Sequence, residues 1–518
     1  MIAPLKSLRQ IGTATLCWLT LLLPGLTPAA DIELPDIGLS ASASIPEEDE
    51  NQYARQLLRA MRNAGVLVED PLLEEYLRTT AIRLAEVSEK PEQRYIFVML
   101  RNRELNAFAT PGGLIAVHTG LISAAETESE MAAVLAHEIA HVTQKHIVRA
   151  MESARKAQWP MMLATLAAMA LAKDSEDKAG AMIAGTAALQ QMQINFTRAN
   201  EFEADRLGIR TLKRAGFDVN AMATMFGRLQ RATVIAPEEA PPEFLRTHPL
   251  SNTRIAEAKA RAVELGADQV NPVSDSAAYR WMRARVKVIE ADDPLDAERQ
   301  FQQTLRERPE ADDQRYGIVV AALARRDVAT ATRQLRTLRA TPENELALAL
   351  ARAELGKLQG GDWRRAYEAL SSSHPGHRVV TRAFADALLE TGKPEAGRRT
   401  VELIKPLVAR IDNDPALYEL LGRGYELDGD EIRAGESHAR AHALRGAFED
   451  ALLQLQSLAQ RPRLDYYQRA RLDAQIAELT PVVIYLRERY GKPQQQLQSA
   501  GQSAARSTMD AVRQYSIQ

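Results

Sequence analysis

A chain of 518 residues has room for two or three domains, each with its own core. Its 65 basic and 68 acidic residues nearly cancel, leaving a formal charge of −3 and no strongly basic face of the kind that binds nucleic acid. Mean hydropathy is mildly negative at −0.28, as in soluble chains, and the sequence holds neither a Walker phosphate loop nor a glycine-rich dinucleotide fingerprint.

At the N-terminus, Lys6 and Arg9 precede an apolar run from Ile11 to Leu26. Thr27-Pro28-Ala29 then supplies small residues before a cut near Ala29 or Ala30. The pattern predicts a secretory signal peptide over 1–30 and a mature protein in the periplasm. Pro24 and Gly25 break the apolar run early, against an uncleaved anchor. The single cysteine, Cys17, lies inside that run, and Ala14-Thr15-Leu16 before it lacks the small residue of a lipoprotein signal. A mature chain without a thiol excludes cysteine catalysis and suits an oxidising compartment without disulfides. The acidic, polar segment 31–47 reads as a flexible linker.

A first domain is expected over 48–268. Residues 51–89 read as helices, with Tyr53, Leu57, Leu58, Met61 and Val66 at helical spacing. Tyr95–Leu100 and Leu114–His118 read as strands, the second entered through the Pro111-Gly112-Gly113 turn. His118 reads as a sheet residue rather than a catalytic one. Thr127 with Glu130 fits a capping box, and no Pro or Gly interrupts the chain from Glu130 to His146, so a helix is expected there.

That helix carries His137-Glu138-Ile139-Ala140-His141. Two imidazoles one turn apart can face one zinc ion, with a carboxylate beside them for proton transfer. The three-histidine metzincin pattern is excluded, because Gln144 stands at its glycine and Ile147 at its last histidine. A continuing helix would carry His146 off the ligand face, so it reads as structural or surface. The third ligand is then a carboxylate from a second helix, and Glu201-Phe202-Glu203-Ala204-Asp205 offers it. Glu201 and Glu203 face different ways on a helix, so only one can ligate. Glu201 is taken as the ligand. Asp205, one turn on, is taken as the acceptor of the remaining N–H of a zinc-bound histidine.

Two apolar stretches, 159–172 and 181–196, flank a charged hinge at 173–178 and are too short to span a bilayer. They fit either a helical hairpin packed on the core or a mobile flap, with peripheral membrane contact, over the active site. After the proline-rich segment 237–242, His248 precedes Pro249, which holds it outside a helix. Three roles stay open for His248: transition-state donor, reversible fourth zinc ligand restraining the resting enzyme, or loop anchor.

Beyond residue 276 the chain turns helical and rich in Leu and Ala. Pro294-Leu295-Asp296-Ala297 with Phe301, Thr304 and Pro309 fits the second helix of a tetratricopeptide unit, and Ala331 falls 34 residues after Ala297. Ala366 and Ala396 follow, and 414–434 is the best-patterned unit, although the later spacings slip to 30 and 38. The predicted fold is mostly α. It comprises an α+β gluzincin-type metallopeptidase domain with a small sheet, an α-solenoid of tetratricopeptide-like repeats over 276–490, and a polar tail over 491–518.

Three segments, Asn106–Gly113, His137–His141 and Glu201–Asp205, resemble the metallopeptidase family that contains the CAAX prenyl endopeptidase and the bacterial membrane heat-shock protease. With a signal peptide before and repeats after, the chain is similar to a periplasmic branch of that family. The resemblance implies one Zn2+ per chain on His137, His141 and Glu201, with Glu138 as general base. A His-Pro step followed by an arginine, here His248 and Arg254, is common in the family. The resemblance also implies clients, namely outer-membrane β-barrel proteins stalled in assembly, together with the outer-membrane assembly machinery. The implied activity is a quality-control endopeptidase with chaperone-like binding. The family's membrane members carry transmembrane helices not found in this sequence, so their topology does not carry over. The rival from another class is a periplasmic repeat scaffold with a structural or latent zinc site, which would have no need of Glu138. A prenyl-type or small-peptide peptidase is the second enzyme reading, and repeats suit larger clients better.

Overall fold

The computed structural model describes residues 46–153, 197–235, 242–266, 269 and 271–490. The predicted signal peptide, the linker up to residue 45, both apolar stretches with their charged hinge, most of the proline-rich segment and the polar tail lie outside the described residues.

Helix α1 (Glu47–Asn63) buries Ala54, Leu58 and Met61, a stripe at i, i+4 and i+7. Tyr53, expected inside, faces solvent, because the stripe begins one residue later than its aromatic suggests. Helix α2 (Pro71–Ala85) starts where Asp70 accepts the amides of Leu72 and Leu73, each at 3.1 Å, and Pro71 fills a first-turn position whose amide needs no partner.

The sheet has three strands, β1 (Ile96–Leu100), β2 (Ala107–Ala109) and β3 (Leu114–His118), in the order β1-β3-β2. β1 runs parallel to β3 and β2 antiparallel to it, with Phe108 opposite Ala116. β2 adds a strand to the two expected from sequence. Its hairpin turns through Gly112 and Gly113, both at φ +79°, where a side chain would also strike the carbonyls of Glu50 and Arg94. On the far side, β1 is partly covered by 66–68, with Val68 N–H bonded to Met99 O at 2.9 Å. The open edge of the sheet is therefore β2.

Helix α3 (Thr119–Ala124) leads into α4 (Glu128–Thr143), which is buried on nearly every face. Thr127 caps α4 at the Glu130 amide, 3.2 Å, while the Glu130 carboxylate reaches back past the cap to the Glu126 amide, 2.7 Å. Helical residues 146–153 (α5) and 197–214 (α6) follow, then α7 (Ala221–Ile235), α8 (Glu243–Thr247) and α9 (Asn252–Gly266).

Twelve further helices complete the described chain. They are α10 (Ala277–Glu290), α11 (Pro294–Glu307), α12 (Asp312–Ala324), α13 (Val328–Leu335), α14 (Glu345–Leu358) and α15 (Trp363–Ser373), then α16 (Arg378–Leu389), α17 (Pro394–Val408), α18 (Pro415–Asp428), α19 (Glu431–Arg445), α20 (Phe448–Ala459) and α21 (Tyr466–Tyr490). They stack in sequence. An aspartate caps the start of α11, α13, α15 and α19 in the same way, Asp293, Asp327, Asp362 and Asp430 each accepting a first-turn amide. Ala297, Ala331, Ala396 and Ala434 are buried in the stack. Ala366 is exposed, and its neighbour Tyr367 fills the gap instead, stacked on Phe384 at 5.4 Å.

No seam in the core separates the sheet-bearing half from the repeats. One apolar cluster runs from Val68 through α4 and α7 to Leu355 in α14. Tyr279 of α10 donates to Ile122 O and Ala125 O at 3.0 and 2.9 Å, and Trp281 stacks on Tyr316 at 4.2 Å. Farther along, the array curves back. Arg378 and Arg382 of α16 pair with Glu74 of α2, and Arg59 of α1 lies over the Phe448 ring. Among the described residues, no helix is long and apolar enough to cross a membrane.

Candidate metal centre

Helices α4 and α6 cross closely because Gly208 leaves the α4 backbone uncovered; a Cβ there would lie 3.3 Å from the His137 amide nitrogen. The crossing brings α6 carboxylates to the histidines of α4. His137 Nε2 and His141 Nε2 are 3.0 Å apart and lie 3.4 Å from Glu201 Oε2 and Oε1 respectively. His248, held extended just past α8, enters the same cluster. Its Nδ1 is 3.3 Å from His137 Nε2 and 3.1 Å from Glu201 Oε1. One donor atom from each of these four buried residues lies within 4.8 Å of all the others. Two to three imidazoles and one carboxylate converging in a buried pocket match the donors that zinc prefers.

Each donor is braced. His137 Nδ1 lies 3.0 Å from Asp205 Oδ1, with its N–H meeting the oxygen off-axis. Asp205 is gripped by Arg254 through two bonds of 2.7 and 2.8 Å. Arg254 also reaches Glu201 Oε2 at 2.9 Å and Pro249 O at 2.7 Å, so one buried guanidinium ties the α6 carboxylates to the His248 loop. Sequence reasoning noted Arg254 only as a companion of the His-Pro step.

His141 is braced differently. Helix α4 stops at Thr143, and Lys145 takes a left-handed turn at φ +52°. The turn swings His146 back under His141, so of the two expected places, structural or surface, the buried structural one is found: His146 is 2 % exposed. Its Nδ1 is 2.9 Å from His141 Nδ1, and its Nε2 is 3.1 Å from Glu203 Oε2. Glu203, the candidate not chosen as ligand, faces His146 and Arg149 rather than the donor cluster. His118 lies apart, in β3, edge-on to Phe108 at 6.2 Å, and burial pushes it down to about 4.

The electrostatics suit a cation. Burial lowers His137, but Asp205 and Glu201 outweigh it and hold the imidazole up at about 10. Burial and the adjacent His137 push His141 well below its usual range. Glu201 falls well below the usual carboxylate range: burial would raise it, but His248 and Arg254 outweigh that. Glu138 moves the other way. Burial raises it despite the attraction of His248 and His137. Its Oε1 has no hydrogen-bond partner, while the carboxylate receives the Ala109 amide from β2. Ladder bonds to β3 fall at Asn106 and Thr110, either side of β2, which turns the amides of Ala107 and Ala109 away from β3, the latter onto Glu138.

Residues 71–262 match the model of peptidase family M48. A beta-barrel assembly-enhancing protease of Yersinia pestis is 32% identical over 494 residues, 91% of this chain and 95% of that protein. The Escherichia coli K12 protein of that name is 30% identical over 473 residues, covering 88% and 93%. A Vibrio cholerae relative is 40% identical over 287 residues, 54% of this chain and 58% of its own length. With a family match over the metal centre and likeness running on through the repeats, the chain belongs to peptidase family M48, as a metalloendopeptidase homologous to the beta-barrel assembly-enhancing proteases.

Proposed function

We propose that this chain is a periplasmic zinc-dependent endopeptidase with chaperone-like activity, acting on outer-membrane β-barrel proteins that stall in assembly. The full-length likeness to relatives named for beta-barrel assembly supports the client class. The observation that carries the chemistry is Glu138, buried and raised above the usual carboxylate range, with one oxygen free of hydrogen bonds and 3.5 Å from His248 Nε2 beside the donor cluster.

His137, His141 and Glu201 would hold one zinc ion, with Asp205 fixing the tautomer of His137. Bound there, zinc acts as a Lewis acid toward water and the scissile carbonyl. An extended polypeptide pairs with the open edge of β2 and presents its scissile bond across Glu138. Glu138 takes a proton from water and returns it to the leaving amine. The pocket excludes bulk water, which strengthens both transfers. The repeats hold the client or its assembly partners along their stacked helices.

His248 restrains the resting enzyme by filling the fourth position of the cluster. It must leave that position before a client can be cut, and its loop is the movable part, since Pro249 keeps it out of a helix. His248→Ala is expected to raise cleavage of an unfolded client, and unchanged or lower cleavage overturns the restraint. For the enzyme itself, mature protein and Glu138→Gln are compared on an unfolded outer-membrane barrel protein, with and without a zinc chelator. A loss of about 100-fold or more in the variant, and a similar loss on chelation, is expected. Equal cleavage by both proteins removes Glu138 from the reaction.

A further inference from the structure

The two metal-facing histidines of α4 are braced from α6 by carboxylates two residues apart, Asp205 and Glu203, and only Asp205 touches its histidine directly. We infer that His146, relayed to Glu203, is the positioning residue for His141, doing for that ligand what Asp205 does for His137. The inference rests on His141 serving as a metal ligand.

The hydrogen-bond directions follow from the geometry. His141 turns Nε2 toward His137 Nε2 and Glu201 Oε1. As a ligand through Nε2, a neutral imidazole carries its proton on Nδ1 and must donate from there. Among the described residues, the acceptor in place is His146 Nδ1, 2.9 Å away. His146 then carries its own proton on Nε2, and that N–H donates to Glu203 Oε2 at 3.1 Å. Glu203 is held in turn by Arg149 Nη1 at 3.3 Å. Every tautomer in the chain is thus fixed by the one before it. The parallel with the other ligand is close, since Asp205 on His137 is gripped by Arg254 just as Glu203 is gripped by Arg149.

The break in the helix at Gln144 and Lys145 makes the relay possible. On an uninterrupted helix His146 would point away from His141. The left-handed Lys145, tied to Glu50 by a 2.8 Å bridge, turns α5 back so that the two rings meet edge to face at 4.7 Å. A surface histidine needs no such turn, and a core histidine needs no specific acceptor geometry.

Two isosteric replacements separate the relay from simple packing. In asparagine the side-chain oxygen can stand where His146 Nδ1 stands, so His146→Asn keeps an acceptor for His141. His146→Gln places its amide near the Nε2 position, so it keeps the contact with Glu203 and loses the acceptor. Zinc affinity is read by chelator competition on the full mature chain, and the visible spectrum of the Co2+ form reports ligand geometry. His146→Ala and His146→Gln are expected to bind zinc about 10- to 100-fold more weakly than the wild type, with a shifted Co2+ spectrum. His146→Asn is expected to stay within about threefold of the wild type, as a kept acceptor requires. Should the alanine variant fail to fold, the Asn–Gln pair alone decides. Gln binding as tightly as Asn, or Asn binding as weakly as Ala, overturns the relay. His141→Ala is the control for the reading beneath it: if that variant binds zinc as the wild type does, His141 is not a ligand, and the proposed site fails rather than the relay.

Discussion

The crossing of α4 on α6 and the crossing of α17 on α18 are both tight, but different chemistry fills them. Between α4 and α6, histidines, carboxylates and Arg254 are buried, each answered by a specific partner. Between α17 and α18, Gly397 lets the backbone of Gly424 approach, and Leu421 and Tyr425 pack around it with no buried charge pair. A polar crossing of this kind is held by a few groups that cannot be replaced one at a time, because losing one leaves another buried without a partner. An apolar crossing spreads the same task over many contacts. The peptidase half is therefore expected to be brittle at single residues and the array tolerant.

Arg254 gives the sharpest contrast. Arg254→Ala removes the guanidinium shared by Glu201 and Asp205, leaving two buried carboxylates with only imidazoles beside them, and is expected to cost about 3–5 kcal/mol of stability in the metal-free protein. Zinc should restore part of that loss, since an ion bound only by the folded state stabilises it. Arg382 on α16 is also buried, but its partner Glu74 keeps Arg378 at 2.9 Å when Arg382 is removed. Urea unfolding of the two variants should therefore place Arg382→Ala well above Arg254→Ala in stability. Equal losses would mean that the metal centre is no more brittle than the array.

Acid titration separates the same two regions with opposite signs. Burial holds His118 down at about 4, so the folded state stays unprotonated while the unfolded chain gains a proton near pH 6.5. Stability from His118 is thus present above pH 6.5 and lost as pH falls toward 4, by roughly 3 kcal/mol at the limit. In the array, His438 is raised by its bond to Glu419, against the effect of burial, with Glu426 at 3.0 Å adding to it. Its contribution is full below pH 6.5 and fades as pH rises through the higher folded value. Replacing His118 with Leu, close in volume, should flatten the loss of stability between pH 6.5 and 4.5. His438→Gln should leave that acid limb alone and remove stability at pH 6.

The same contrast governs what the sequence makes legible. His137, Glu138, His141 and Glu201 are readable because ligand chemistry demands fixed residue types at fixed helical spacing, and Asp205 follows one turn after Glu201. His146 is not readable, since its place depends on a left-handed turn at Lys145, a residue with no preference for it. Strand β2 escapes because Ala-Phe-Ala is too short and too small to show alternation, and only its ladder with β3 defines it. In the array the alanine period holds at Ala297 and Ala331. It fails at Ala366, where Tyr367 takes over the packing one residue later. The steadier signal there was the aspartate cap, fixed by the backbone rather than by the size of a neighbouring helix. The continuous core across residue 276 left no mark in composition, because the apolar faces of α10 and α12 look alike whether they meet a repeat or a peptidase.

That shared core makes Gly317 the last and mildest test. Gly317 lies on α12, where an added methyl group would sit 2.5–2.8 Å from the Phe301 ring of α11. Overpacking of this size costs about 1–3 kcal/mol, so Gly317→Ala should lower the melting temperature while zinc affinity at 25 °C stays unchanged. The shape of the transition carries the argument. Tyr316, next in the chain, packs on Trp281 in the cluster that also contains the apolar side chains of α4. Strain at Gly317 is therefore expected to shift one cooperative transition, read together by calorimetry and by release of zinc to a chromogenic chelator. Two transitions, with zinc release on the unshifted one, would show that the array folds apart from the metal centre and that the contrast between the crossings is a boundary between two folding units.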